Sequence, residues 1–163
     1  MRSIEGTERP FVCKKAKLLT MLTIRPAQKP DIDAVKVCVS LAYTEARRTI
    51  PDLPDVTSEL EEDLEQHHMF VAETDGLIAG AVVFGPVADR FMVFNLAVHP
   101  DAQGQGVARQ LMDRAEAQAR EDGFDKIELR THRLMTGTRA MYKHLGWSET
   151  EVSENKVSMK KAL

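Results

Sequence analysis

The sequence predicts a single α/β (α+β) domain. Three observations carry this. Strand-like segments with period-two or continuous apolar runs alternate with amphipathic segments in the order β-α-α-β-β-β-α-β-α-β-β. A hairpin signal, Asp75-Gly76, sits between two apolar runs and makes that part of the sheet antiparallel. A strand running into a glycine-bearing turn and then a long amphipathic segment, from Phe91 through Gly104 and Gly106, marks a β-to-α transition.

Element by element, Leu22 to Arg25 reads as a short strand stopped by Pro26. Asp31 is placed to cap a helix running to about Arg48, with Ile32, Val35, Val39, Ala42 and Ala46 at helical spacing. Pro51 and Pro54 open a loop. Ser58-x-x-Glu61 has the form of a capping box for a second helix to about Gln66, with Leu60 and Leu64 on its buried side. Met69–Glu73 and Leu77–Phe84 flank the hairpin turn, and Pro86–Asp89 makes a second turn into the strand ending at Val98. The helix from Gly106 to about Asp122 buries Val107, Leu111, Met112, Ala115 and Ala119, and Gly123 ends it. Phe124–Thr131 is a strand, Thr136–Leu145 a short helix stopped by Gly146, and Trp147–Val152 with Lys156–Lys160 a closing strand pair. Residues 1–20 mix Arg2, Arg9, Lys14, Lys15 and Lys17 with Glu5 and Glu8. They read as an N-terminal extension or upstream start with a short helical turn near Cys13–Leu19, leaving 21–163 as the domain.

Length and composition set bounds on function. The chain has 163 residues, 43% hydrophobic and 29% charged, which suits one ordinary core. A formal net charge of −3 argues against a nucleic-acid surface. No apolar run approaches a membrane span. Cys13 and Cys38 are far apart and lack metal-ligand spacing, so they read as reduced thiols of a cytoplasmic protein. His67 and His68 are adjacent, and adjacent side chains diverge, so no metal pair is expected there.

The stretch Leu96-Ala97-Val98-His99-Pro100-Asp101-Ala102-Gln103-Gly104-Gln105-Gly106-Val107-Ala108-Arg109 carries the main chemical signal. A strand end, two glycines and a helix start leave backbone N–H groups free to meet an anion. A P-loop is excluded because no Gly-Lys-Ser or Gly-Lys-Thr occurs. A dinucleotide fingerprint fails at Arg109, too bulky for the third glycine position. What remains is Q-x-x-G-x-G/A, met by Gln103, Gly106 and Ala108, or a glycine-rich turn with no ligand.

Set on this strand and helix, that run resembles the acetyl-coenzyme A loop of the GNAT superfamily of N-acetyltransferases. A second stretch, Thr138-Arg139-Ala140-Met141-Tyr142-Lys143-His144-Leu145-Gly146-Trp147, is similar to the superfamily's closing "ALYxRLGF" motif. The resemblance spans residues 22 to 160. It implies a central mixed, mostly antiparallel sheet of six to seven strands, flanked by about four helices and splayed between strands four and five. It further implies that Gln103, Gly104, Gln105, Gly106, Val107, Ala108 and Arg109 form the cofactor loop. Backbone N–H groups of Gly104 and of residues 106 to 109 would hold the pyrophosphate, and the main chain of Leu96, Ala97 and Val98 would run beside pantetheine. Tyr142 stands where the family's tyrosine protonates the leaving thiolate. Thr138 is near the position where many relatives carry an Asn that bonds the cofactor.

The implied reaction is transfer of acetyl from acetyl-CoA to a primary amine by direct attack, without metal. A non-catalytic acyl-CoA-binding or regulatory domain is the alternative. Dimers are common in the superfamily, which leaves a homodimer open.

The base is less defined. The fourth strand carries no acid between Phe91 and Val98; Asn95 is its polar residue, able to orient a water. His132, after the fifth strand, is the base candidate, because histidine as a residue type can take up a proton around physiological pH, with a structural histidine as its alternative. Glu45, Asp52, Asp55 and Glu59 would draw a cationic acceptor or simply form solvated surface. Arg130 and Arg133 would favour an acidic group.

Overall fold

A computed structural model describes residues 22–163. The proposed extension and its helical turn lie outside the described residues. Among the described residues there are seven strands: β1 (Thr23–Pro26), β2 (His68–Thr74), β3 (Leu77–Val87), β4 (Arg90–Val98), β5 (Lys126–His132), β6 (Ser148–Val152) and β7 (Lys156–Ala162). The α-helices are α1 (Ile32–Ala42), α2 (Thr44–Thr49), α3 (Leu60–Gln66), α4 (Val107–Glu121) and α5 (Thr136–His144). The strands form one sheet in the order β1-β2-β3-β4-β5-β7-β6. Every neighbouring pair is antiparallel except β4 and β5, which run parallel.

The sheet buries both faces along its middle. On one side Phe84, Phe91, Ile127 and Trp147 pack in one cluster with Leu111 and Met112 of α4. On the other Val35, Val39, Leu60, Val71, Val83 and Ala97 pack beneath α1 and α3. β3 is therefore a continuous buried run, Ala79 to Gly85, rather than an alternating one. Asp75 (φ 50°) and Gly76 (φ 77°) make the turn between β2 and β3, both left-handed as a tight hairpin of this kind requires.

Two irregularities position the site. In the β3–β4 ladder Val83 pairs with Asn95 and Phe84 with Val93, so Phe94 is the extra residue of a β-bulge. β4 and β5 pair only at Met92–Glu128 and Val93–Leu129. Past Val93 and Leu129 the two strands part, opening the sheet where the resemblance implied a splay.

The first helical region differs from the expected single helix to Arg48. It breaks at Tyr43 (φ −100°, ψ 5°), giving five helices rather than about four. The Thr44 hydroxyl donates back to the Ser40 carbonyl (2.9 Å), a local bond that bends a helix. Asp31 does occupy the N-cap position, but without a cap bond. Its carboxylate accepts two bonds from Arg25 (2.8 and 2.9 Å) and one from the Gln28 N–H (2.7 Å). The capping box at Ser58 does not form. α3 starts at Leu60, the Ser58 hydroxyl donates to the Asp55 carbonyl (3.1 Å), and Glu61 is drawn to Lys36 on α1.

Candidate active site

The loop after β4 is built by its own bonds. His99 N–H donates to the Ala79 carbonyl (2.8 Å), holding the strand end against β3. The Asp101 N–H then donates to His99 Nδ1 (3.0 Å), which shapes a 3-10 turn over Pro100–Ala102. Gln103 Nε2 donates to the Val98 carbonyl (3.3 Å), folding the chain back. Gly104 (φ 77°) and Gly106 (φ 82°) turn through left-handed backbone that L side chains rarely adopt, and α4 begins at Val107. Among the described residues, the N–H groups of Gly104, Gly106, Val107, Ala108 and Arg109 find no acceptor within the protein. They form an open set of donors at the positive end of a 15-residue helix.

Those donors open into a cleft of about 640 Å³. Leu96, Ala97, Val98, Gln103, Gly104, Gly106, Val107, Ala108, Arg109, Thr138 and Tyr142 all line it. Gln105 does not. It is buried beneath the turn, with Nε2 donating to the Asp101 carbonyl (3.3 Å) and Oε1 left without a partner.

Tyr43 also lines the cleft, and sequence reasoning missed it. Its only signal was its place in an otherwise helical run. Its hydroxyl lies 3.4 Å from the Leu96 carbonyl. Tyr43 packs with the core under α1, whereas Tyr142 packs with the core under α4. One cleft touching both cores crosses the sheet, a passage bordered by β4 beyond its last pair with β5. Burial pushes the Tyr43 phenol up to about 12. Burial pushes Tyr142 further up, and Tyr43 adds to the effect. Both are neutral O–H groups at neutral pH.

His132, the candidate base, does not line the cleft. The Leu134 N–H donates to Nδ1 (3.1 Å), so Nδ1 is an acceptor and the ring hydrogen sits on Nε2, 2.9 Å from Asp52 Oδ1. Neither nitrogen keeps a free lone pair for a substrate proton. Asp52 in turn accepts from Asn155 (3.3 Å). These bonds with Asn155 and His132 hold its carboxyl below the usual range. His132 thus fastens the loop after α2 to the end of β5 and to the β6–β7 turn.

The other acids of that region lie outside the cleft lining: Glu45 pairs with Arg48, and Asp55 accepts from Thr57. Among the described residues no carboxylate lines the cleft, and no cluster suited to a metal ion occurs. Asn95 Nδ2 donates to the Val56 carbonyl (3.2 Å), tying the same loop to β4.

A strand end, a set of free N–H donors at a helix start and a cleft beside the parted β4 edge thus lie together in one place. Residues 39–147 match the model of the Acetyltransferase (GNAT) family, and the chain belongs to that family. It is 30% identical over 106 residues to N-acetyltransferase 8F1 of Rattus norvegicus, covering 61% of this chain and 47% of the relative. The chain thus spans about half the length of the curated relatives it matches.

Its fold is shared with the PaiA N-acetyltransferase of Thermoplasma acidophilum, solved with coenzyme A (TM-score 0.78, 14% identity, 87% of this chain and 99% of that one). It is shared also with the Escherichia coli ribosomal-protein-S18-alanine N-acetyltransferase (TM-score 0.71, 21% identity, 87% and 94%).

Proposed function

We propose that this domain moves an acetyl group from acetyl-CoA to a primary amine by direct attack. The observation that carries this reading is the run of unbonded N–H groups at Gly104 and residues 106–109, opening on a cleft that crosses the sheet. These donors suit a pyrophosphate, and no side chain fills the space over Gly104 or Gly106. The main chain of Leu96, Ala97 and Val98 borders the parted strands, where an extended pantetheine arm can pair with backbone. Acetyl-CoA supplies an activated thioester.

Tyr142 keeps its proton at neutral pH, which suits it to protonate a departing thiolate. Direct attack is favoured because Cys38 is buried on α1 and burial pushes its thiol up to about 12. No described helix is long and apolar enough to cross a membrane. A free buried thiol supports a reducing compartment, and we place the protein in the cytoplasm.

Titration with acetyl-CoA is the direct test; no binding at millimolar concentration rejects the reading. Replacing Tyr142 by Phe is expected to lower turnover about 10²-fold while the acetyl-CoA Kd stays within twofold. An unchanged rate removes Tyr142 from the chemistry. The lack of a carboxylate in the cleft favours a second reading, a non-catalytic acyl-CoA-binding domain. Binding with no transfer to any amine of a broad panel selects it.

A further inference from the structure

We propose that Arg130 and Lys156 form a carboxylate-binding site for the acyl acceptor, on the face of the sheet opposite α4. The inference rests on the transferase reading above. α1 and α3 pack chiefly on β2, β3 and β4, so on that face, among the described residues, β5, β7 and β6 meet only the loop after α2, where Asp52 bonds His132 and Asn155. Leu129 points into the core under α4, so Arg130, its successor on β5, points to that opposite face. Arg130 is also the first β5 residue past the last β4–β5 pair, Val93–Leu129. It therefore stands on β5 where that strand has parted from β4, outside the lining of the cleft itself.

The registers place the rest. Arg130 pairs with Ser158, and Ser158 with Glu151, in one row across three strands. Lys156 lies two residues along β7, a diagonal neighbour of Arg130 at roughly 7–8 Å between backbones. Together with Ser153 these residues line a hollow of about 180 Å³.

The electrostatics single out the two cations. Several nearby basic side chains are engaged: Arg139 and Lys143 with Glu149, Lys161 with Glu116, and Arg133 with the Glu154 carbonyl; Lys160, further along β7, makes no ion pair among the described residues but does not line the hollow. Arg130 and Lys156 make no ion pair or side-chain hydrogen bond among the described residues, although Glu151 lines the same hollow. With Glu151 counted, the hollow carries +1 (two cations less one carboxylate). An arginine fork and a flexible ammonium at diagonal positions suit a carboxylate shared between them. An acceptor so held keeps its amine free to enter the passage beside Arg130, from the side on which Tyr43 packs.

The test uses matched probes, L-methionine with L-methioninamide and L-phenylalanine with L-phenylalaninamide. Acetyl-CoA binding is titrated in parallel. The intact protein is expected to favour each acid over its amide by about tenfold or more in kcat/KM. In the Arg130→Gln, Lys156→Gln variant that ratio should fall to about one, with the acetyl-CoA Kd and the amide rates unchanged. Arg130→Lys should restore part of it.

A wild-type preference for the amides, a ratio that survives the double substitution, or acetyl-CoA binding without turnover of any probe overturns the carboxylate site. Failure to bind acetyl-CoA overturns the transferase reading itself. Both side chains are exposed, and an unchanged urea midpoint checks that the variants fold.

Discussion

At the scale of single residues, some polar side chains of this protein face the cleft and others hold loops. Tyr142 and His132 illustrate the division. Sequence logic treated both as reactive: a tyrosine in a motif and a histidine at a strand end. Tyr142 lies in the cleft, while His132 spends both ring nitrogens on Leu134 and Asp52. The difference was not legible because Asp52 is 80 residues from His132 in sequence. Replacing His132 by Gln is expected to cost about 1–2 kcal/mol in urea unfolding, from one lost acceptor and one lost donor. The pH–rate profile should keep its shape. A flattened profile with stability unchanged would restore His132 as the base.

Among the elements, the β4–loop–α4 unit was the most legible part of the chain. Its signals are local: glycines where φ is positive, a proline opening a 3-10 turn, and apolar residues at helical spacing. The α1–α2 break and the start of α3 were not legible, because tertiary partners decided them. Glu61 is taken by Lys36 instead of a capping box, and Tyr43 is turned toward the Leu96 carbonyl.

The same unit depends on a contact that sequence could not show. A Cβ on Gly80 would lie 2.9 Å from the Ala97 carbonyl oxygen, 3.0 Å from Leu111 Cδ1 and 3.1 Å from Val107 Cγ1. Gly80 thus lets β3 sit close under the first turn of α4. Gly80→Ala is expected to destabilise by about 1–3 kcal/mol. It should also weaken acetyl-CoA binding by displacing Val107, the first residue of the helix bearing the donors. Thermal unfolding and acetyl-CoA titration check the two effects; a variant unchanged in both would show that α4 can shift without consequence.

For the whole molecule, ion pairs and charged hydrogen bonds link one element to another, and acid should loosen them. Arg25 holds Asp31 below the usual carboxylate range, Asn155 and His132 do the same for Asp52, and Arg139 for Glu149. A depressed folded-state pKa means the unfolded chain binds protons more readily, so this stability is present above the unfolded value near 4. It is lost as pH falls through the lower folded values. Asp63, raised by its partial burial, works in the opposite sense. The urea midpoint is expected to fall between pH 5 and pH 2.5; a midpoint that holds to pH 2.5 would show these pairs contribute nothing.

The seam at β4 and β5 has one last consequence. Only two residue pairs, Met92–Glu128 and Val93–Leu129, stitch one half of the sheet to the other. The molecule is in effect two ribbons joined by a short weld, and beyond it the facing strand edges leave rungs that an extended guest of the proposed kind would supply.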